Sequence, residues 1–440
     1  MKTPPETNDP YDPNEDLLKW IDNQFKRYGD IFKASIYGSS VYVIRNPRYA
    51  EYVLRNNWRN YVKGHTSKRI GLLLENGLMV SEGEFWKKHR RMAQPAFHRK
   101  AVAALMPPIV AINADLARRW EQAATKRETV NVTREISQAV LKMVLRSIFG
   151  DDYDEVKEYF DIVSEEAARN FKFAQEFRVA GEIISAVVAR RQDRKTLAYD
   201  ILSILMEARD RDTGDLMSDR QLISEIKTLI IAGHETTAST LSWMWYLLSQ
   251  HPKVQERLFM EIDHFLGSSL LTLDELPKFT LARHVIEETM RLYPAGWLMT
   301  RKALRDDELD EYFVPAKTEI YVPPYFIHRH PNFWSNPDDF DPDRFAPDRS
   351  QDRHPMSTLP FSAGPRNCIG EPLARMEMQI HLITVIAKSI RLQYLEINPP
   401  EIDAGINLRG KNDLIMKPEL FERPAMQISR PAVVETAAAI

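Results

Sequence analysis

The chain has 440 residues, of which 44% are hydrophobic, so it can bury a large core. Its 59 Lys and Arg residues nearly balance 62 Asp and Glu residues, which leaves a formal net charge of −3. This balance excludes an overall electrostatic attraction to nucleic acid or to an anionic membrane. A single cysteine excludes an intramolecular disulfide and a zinc site built from several thiolates.

The two ends of the chain predict flexible tails, over residues 1–15 and 424–440. The first is rich in Pro, Asp, Asn and Glu and lacks the basic and apolar regions of a signal peptide. The long apolar run from Leu229 to Leu248 is close to the ~20 residues that span a bilayer. Because it contains His234 and Glu235, a buried central helix is the preferred interpretation.

Local patterns predict a mostly helical chain with a few strands. The expected elements are a hairpin over Ile31 to Ile44, a helix from near Pro47, a loop over His65 to Glu84, a helix over Glu84 to Arg91, helices from Lys100 to Arg194 with breaks at Pro107-Pro108 and Gly150, and strands over Ala295 to Ala303 and Ile320 to Tyr325.

One helix should be much longer than the rest. Ser218 to Gln221 form a capping box that opens it, and His251-Pro252 ends it after Gln250. At 1.5 Å per residue its length would be about 50 Å, enough to cross the molecule.

The lone cysteine, Cys368, lies between Gly364 and Gly370, directly before a helix predicted from Glu371. A lone cysteine is more often a small buried hydrophobic residue. At the positive end of a helix, however, a thiolate is favoured over a thiol, and a thiolate is what a metal ion binds.

Phe361, Gly364, Arg366, Cys368 and Gly370 match the pattern Phe-x-x-Gly-x-Arg-x-Cys-x-Gly at every position. This stretch resembles the haem-binding loop of the cytochrome P450 superfamily. The resemblance implies a mainly α fold with small β-sheets, a single domain over residues 1–440, and haem b between the long helix and the cysteine loop. Cys368 would be the axial ligand of the haem iron.

The long helix contains a second matching stretch, from Ala232 to Thr237, which resembles the oxygen-handling segment of the same family. Gly233 would leave room for a flat ligand to approach the helix. The Thr236 hydroxyl and the Glu235 carboxylate would deliver protons to dioxygen. A zinc protease is excluded, because Ala238 stands where the second histidine of that motif belongs.

Cationic and aromatic donors suggest how a haem would be held. Trp86 and Arg90 share one helix face and resemble the family's propionate-binding pair, although a core Trp beside a surface Arg is the alternative. Arg366 and Arg301 are further candidates for the propionates. The nearby cations form either a solvated face or a docking surface for an acidic electron donor; they are Lys87, Lys88, Arg91, Arg99 and Lys100.

A further set should hold the fold together. Glu288 and Arg291 lie three residues apart on one helix face, and Arg344 in Pro342 to Phe345 would complete the family's Glu-Arg-Arg set. Taken alone, the first two could equally be a surface ion pair.

An apolar pocket is expected around Leu74, Ile230, Ile231, Thr237, Trp297, Leu298 and Met299, consistent with fatty acids, terpenoids, steroids or polyketides. The lid between Glu155 and Arg191 looks short, since residues 171–177 contain no Gly or Pro. Gly405 to Asn412 nearly matches a phosphate-binding loop, but Asn412 replaces the required Ser or Thr.

The resemblance implies a soluble, cytoplasmic, monomeric monooxygenase that takes electrons from NAD(P)H through a separate ferredoxin and ferredoxin reductase. Two alternatives stay open. A peroxide-driven haem-thiolate hydroxylase would not need Glu235 and Thr236, and a haem sensor would bind the cofactor without turnover.

Overall fold

A computed structural model describes residues 1–65, 74–164, 172–193, 199–266 and 271–420; side chains are not described at 161–164 and 172–179. The helices in these ranges are α1 (Leu17–Tyr28), α2 (Pro47–Glu51), α3 (Gly83–Ala93), α4 (Arg99–Lys126), α5 (Val132–Phe149), α6 (Tyr153–Ser164), α7 (Lys172–Gln192), α8 (Ile201–Glu207), α9 (Asp219–Gln250), α10 (Pro252–Leu266), α11 (Thr280–Leu292), α12 (Pro324–Ile327), α13 (Pro347–Ser350) and α14 (Glu371–Ala387).

The strands are short. They are β1 (Ile31–Ile36), β2 (Ser39–Ile44), β3 (Tyr61–Lys63), β4 (Val130–Asn131), β5 (Met299–Ala303), β6 (Asp307–Leu309), β7 (Tyr312–Val314), β8 (Glu319–Val322), β9 (Ile390–Tyr394), β10 (Ile402–Ala404), β11 (Leu408–Gly410) and β12 (Ile415–Leu420).

The largest described sheet has five strands in the order β1-β2-β8-β5-β3. Its β2–β8 pair is parallel and its other pairs are antiparallel. The remaining strands pair as β4-β12-β9, β10-β11 and β6-β7. The predicted hairpin is therefore confirmed, and the mainly α fold with small sheets is confirmed as well.

Helix α9 is the predicted long helix, with 32 residues. The Ser218 hydroxyl accepts a hydrogen bond from the Gln221 amide at 3.3 Å, so the predicted cap is present at its first turn. The helix packs against α5, α7, α11 and α14. Its C-terminal half carries Trp243 and Trp245, both almost fully buried. This half therefore anchors the molecule's main hydrophobic core.

Three boundaries differ from the predictions. Pro107 and Pro108 lie inside α4, whose 28 residues continue past them to Lys126; the next residue, Arg127, has the left-handed conformation. The packing of α4 against α14 and α5 outweighs the local cost of the prolines. The strand expected from Ala295 begins at Met299, and the one expected to reach Tyr325 stops at Val322 because Pro323 and Pro324 start a helical turn.

Residues 1–15 also differ from the expected flexible tail. The Lys2 amide donates to the Glu311 carbonyl and the Phe313 amide to the Lys2 carbonyl. The Lys33 amide donates to the Pro5 carbonyl. The segment is thereby paired with edge strands that would otherwise leave backbone groups unsatisfied. The second predicted tail, residues 424–440, lies outside the described residues.

Within the described ranges, one helix, Arg99–Lys126, is long and apolar enough to cross a membrane by composition alone. Among the described helices this test does not select the one that contains Leu229 to Leu248, for which a buried central helix was the preferred interpretation. Half of its most apolar window is buried against the rest of the protein, which is typical of a core helix.

Candidate active site

The cysteine loop has a backbone shape that requires glycine at one position. Gly364 has a φ of 71°, and a Cβ there would collide with the Leu54 carbonyl oxygen. Gly370 has a φ of −81°, and a Cβ there would come no closer than 3.9 Å to Phe97 and to Cys368 Sγ. The backbone therefore requires glycine at Gly364 and does not require it at Gly370.

Cys368 lies just before α14, and its amide donates to the Phe361 carbonyl at 2.8 Å. Part of the Cys368 side chain is accessible to solvent, but most of the space around its sulfur is filled by protein atoms. Burial raises the pKa of the Cys368 thiol, and this outweighs the lowering by the backbone N–H groups of Gly370 and Glu371 and by Arg90. The helix end alone therefore does not produce the expected thiolate. A bound metal ion would, because coordination deprotonates a thiol.

Arg90 holds the cysteine loop in place. It donates to the carbonyl and to the side-chain oxygen of Asn367, at 2.9 and 3.0 Å. Trp86, one turn earlier on α3, is buried, and its indole N–H has no partner among the described residues. Arg366 of the cysteine loop lies over the Trp86 ring, so Trp86 and Arg90 both lie against this loop. That they hold a propionate stays a prediction, and two N–H groups of Arg90 are already bonded to Asn367.

Most N–H groups of Arg366 already have partners within the protein. Its Nη2 lies 2.5 Å from a Glu82 carboxylate oxygen and its Nη1 donates to the Tyr61 carbonyl at 2.7 Å. Its buried Nε has no partner among the described residues. The guanidinium lies over the rings of Trp58 and Trp86, at 5.2 and 5.4 Å from their centroids.

The burial and the bonds of Arg301 indicate whether an anionic cofactor fits this site. It is buried on β5, donates only to the Thr300 carbonyl, and has no carboxylate at salt-bridge distance in the described part of the chain. Burial, together with Arg366, lowers the pKa of Arg301 to about 10. A buried unpaired cation is strongly unfavourable. The excess positive charge and the free N–H groups of Arg366 and Trp86 suit the two carboxylates of a haem.

Glu235 and Thr236 are adjacent residues on the long helix, but their side chains have different hydrogen-bond partners. The Thr236 hydroxyl donates to the Ala232 carbonyl at 2.6 Å. Glu235 accepts a hydrogen bond from the side chain of Asn407 at 2.7 Å. No hydrogen bond joins Glu235 to Thr236 among the described contacts, so proton transfer between them would require a water molecule.

Gly233 makes a helix–helix contact that the sequence did not show, while its predicted role in leaving room for a flat ligand stays a prediction. A Cβ at this position would lie 3.2 Å from Val144 Cγ2 on α5. The missing side chain therefore allows α9 to pack closely against α5. The adjacent His234 strengthens the same contact, because its Nε2 lies 3.0 Å from the Ser137 hydroxyl oxygen on α5.

The predicted pocket residues divide by burial. Leu74, Ile230, Thr237 and Trp297 are buried, whereas Ile231, Leu298 and Met299 are half-buried. The Trp297 indole donates to the Gly405 carbonyl at 2.9 Å. Residues 165–171, in the middle of the predicted short lid, lie outside the described residues.

The family model for cytochrome P450 matches residues 11–180 and 155–401. The chain belongs to the cytochrome P450 family. Its cofactor is accordingly haem b, with O₂ and NAD(P)H-derived electrons as co-substrates, and it is a haem-thiolate monooxygenase.

Curated relatives and solved structures agree with this assignment. The chain is 29% identical to cyclooctat-9-en-7-ol 5-monooxygenase of Streptomyces melanosporofaciens, over 82% of each chain. It is 27% identical to protein LUTEIN DEFICIENT 5 of Arabidopsis thaliana, over 85% of this chain and 69% of the relative. Its fold is similar to that of a retinoic acid-bound cyanobacterial CYP120A1, with a TM-score of 0.84, 23% identity, and coverage of 95% and 99% of the two chains. The cytochrome P450DA heme domain has a TM-score of 0.83 at 21% identity, with coverage of 96% and 98%.

The structure brings the predicted Glu-Arg-Arg set of this cytochrome P450 together. Arg291 donates to both oxygens of Glu288, at 2.6 and 2.8 Å, and Arg344 donates to one of them at 2.9 Å. All three residues are buried. Arg291 and Arg344 also bind backbone carbonyls between residues 328 and 339. The set therefore fixes the segment that leads to the cysteine loop.

The predicted basic face is largely neutralised by acids of the chain itself. Its ion pairs are Lys87–Glu84, Lys88–Asp210, Arg91–Asp212 and Arg99–Asp274. A run of cations in a sequence does not show which acids fold against it, and two of these partners come from the connection before α9.

Sequence reasoning also missed a buried network. Arg191 is almost fully buried and binds the carboxylates of Asp152 and Asp200 and the Phe149 carbonyl. It joins three helical segments beside the lid region. The acids lie 39 and 9 residues away from Arg191, so no local spacing indicates the network.

Proposed function

We propose that this cytochrome P450 hydroxylates or epoxidises a largely apolar small molecule of the fatty acid, terpenoid, steroid or polyketide class. For hydroxylation the balance is RH + O₂ + NAD(P)H + H⁺ → ROH + NAD(P)⁺ + H₂O. The observation that carries the proposal is the buried cluster of Arg301, Trp86 and Arg366, the last of which belongs to the cysteine loop. This cluster has N–H donors without a partner among the described residues.

In this proposal Cys368 binds the haem iron, and the propionates are held by Trp86, Arg366 and Arg301. Arg90 keeps the cysteine loop in register through Asn367. Bound haem b supplies the reduction of O₂ and the transfer of one oxygen atom to the substrate. Phe361, Gly364 and Gly370 belong to the loop that presents the thiol.

Thr236 and Glu235 manage protons on the substrate side. Because the Thr236 hydroxyl proton is directed to the Ala232 carbonyl, its oxygen lone pairs are left to accept a hydrogen bond. Glu235 has one carboxylate oxygen on Asn407, and its other oxygen has no hydrogen-bond partner among the described residues, so it can bind water. This arrangement favours O₂-driven chemistry over the peroxide-driven alternative, which would not need the pair.

The apolar substrate class is supported by the half-buried side chains of Ile231, Leu298 and Met299, which leave hydrocarbon surface accessible. Two of the similar proteins are named for cyclooctat-9-en-7-ol and for bound retinoic acid, both largely hydrocarbon. Titrating fatty acids, terpenoids, steroids and polyketides while recording the visible spectrum would identify a ligand through its spin-state change.

The electron source is a ferredoxin with its reductase in this proposal. The donor would dock on the face that carries Lys87, Lys88 and Arg91, where it would have to compete with acids of the chain itself. Reduction by ferredoxin should therefore slow as ionic strength rises, and more weakly in a Lys87→Glu variant.

We also propose a soluble, cytoplasmic enzyme, for which cell fractionation is the test.

The deciding experiment measures product with NADPH and a ferredoxin system, and then with hydrogen peroxide. We expect product in the first assay and little in the second. Thr236→Ala should raise the peroxide released per NADPH. Thr240→Ala is the matched control, since Thr240 makes the same kind of bond one turn later, to the Thr236 carbonyl. Peroxide-driven product at an equal rate, or no turnover with either oxidant, would contradict the proposal.

A further inference from the structure

The turn that joins β10 and β11 touches the long helix at its acidic residue. Ala404 pairs with Leu408, so Gly405, Ile406 and Asn407 form the turn. Ile406 at its tip is 66% exposed, while Asn407 is half-buried and its side-chain nitrogen lies 2.7 Å from Glu235 Oε2. This is the segment that resembled a phosphate-binding loop in sequence.

The turn is fixed from the helix side. The Ser239 hydroxyl and the Trp243 indole both donate to the Leu408 carbonyl, at 2.6 and 3.3 Å. Glu235, Ser239 and Trp243 are spaced four residues apart, so they form one stripe along α9. The stripe contacts the turn at Asn407 and, twice, at the first residue of β11, Leu408.

The turn is also fixed by the loop that joins α11 to β5. The Leu408 amide donates to the Ala295 carbonyl at 2.9 Å, and the Trp297 indole donates to the Gly405 carbonyl at 2.9 Å. Asn407 is therefore placed by four hydrogen bonds that do not involve its own side chain. Such a support allows an amide to hold a carboxylate in one orientation.

We infer that Asn407 is a positioning residue for proton delivery, which holds one oxygen of Glu235 so that the other faces the water that leads to Thr236. The inference rests on the proposed function. The Asn407 amide is a donor to the ionised carboxylate and contributes a charge-assisted hydrogen bond. Its carbonyl oxygen can accept from water on the exposed side of the turn.

The contact itself is tested without turnover. Glu235→Ala, Asn407→Ala and the double variant of the haem-loaded full chain are unfolded in urea. We expect the double variant to lose less than the sum of the two single shifts in midpoint. Ile406→Ala is the control from the same turn, and its shift should add to that of Glu235→Ala. Additive shifts for Asn407 and Glu235 would overturn the inference.

The positioning role is tested by two measurements: the peroxide released per NADPH, and the solvent deuterium isotope effect on NADPH oxidation. Spinach ferredoxin and its reductase supply the electrons, and all-trans-retinoic acid is the probe. We expect Asn407→Ala to raise both several-fold, Asn407→Gln to restore part of the loss, and Ile406→Ala to match the parent. Parent values in Asn407→Ala would overturn the role. If the parent oxidises no NADPH, the proposed function fails and the role with it, while the urea experiment still decides the contact.

Discussion

Arg344 donates from Nε to Oε1 of Glu288 over 2.9 Å, although 56 residues separate them in sequence. Both side chains are almost fully buried. The pair ties the segment before the cysteine loop to helix α11, so we expect the position of Cys368 to depend on it.

Arg344→Ala should destabilise the fold by about 3–5 kcal/mol, because it leaves a buried carboxylate with only one cationic partner. The free energy of unfolding in urea measures this, and the haem content of the purified protein should fall in parallel. Arg349→Ala is the control, since its pair with Asp341 is 44% exposed on the arginine side; it should cost about 1 kcal/mol or less. Equal losses in the two variants would contradict the anchoring role.

Arg301→Gln should have opposite effects on the haem-free and haem-loaded proteins. Without haem it removes a buried cation that has no carboxylate partner in the described part of the chain, so stability should rise by about 1 kcal/mol. With haem it removes a partner for a propionate, so haem should transfer faster to apomyoglobin. Arg305→Gln, at an exposed position in the bend after β5, should change neither quantity. A transfer rate equal to that of the parent would count against Arg301 as a propionate ligand.

Glu377 on α14 should make stability depend on pH. Burial raises the pKa of Glu377 from 4.5 to about 8 in the folded protein, and its Oε1 has no partner among the described residues. The folded state therefore binds a proton that the unfolded state has released. Stability from this group is complete below pH 4.5 and is lost as the pH rises through 8.

Urea unfolding between pH 5 and pH 9 checks this sign. Glu377→Gln should flatten the pH profile by a few kcal/mol, because glutamine needs no proton. Glu256→Gln, an exposed position, should leave the profile as it is in the parent. A Glu377→Gln profile as steep as that of the parent would show that the carboxyl group does not carry the dependence.

Much of the fold could be predicted because it depends on local patterns. The cap at Ser218, the break at His251-Pro252 and the hairpin at Gly38 are short-range features, and the structure has all three. The packing of α4, which overrides Pro107 and Pro108, depends on distant helices that no local pattern reveals.

For the site, the sequence predicted which residues matter better than it predicted their contacts. The sequence predicted Cys368, Glu235 and Thr236 as site residues, which stays a prediction, and it did not show that Gly233 faces Val144 or that Glu235 pairs with Asn407. Both depend on which side of α9 meets which neighbour. The net charge at the predicted basic face was likewise set by acids that are distant in sequence.

The most direct test of the central claim is the absorption spectrum of the reduced carbon monoxide complex of the haem-loaded protein. If Cys368 binds iron as a thiolate, the Soret band will be shifted to the red as in other thiolate-ligated haems, and Cys368→His will remove that shift. A parent spectrum like that of a histidine-ligated globin, or a red-shifted band that persists in Cys368→His, would contradict the account.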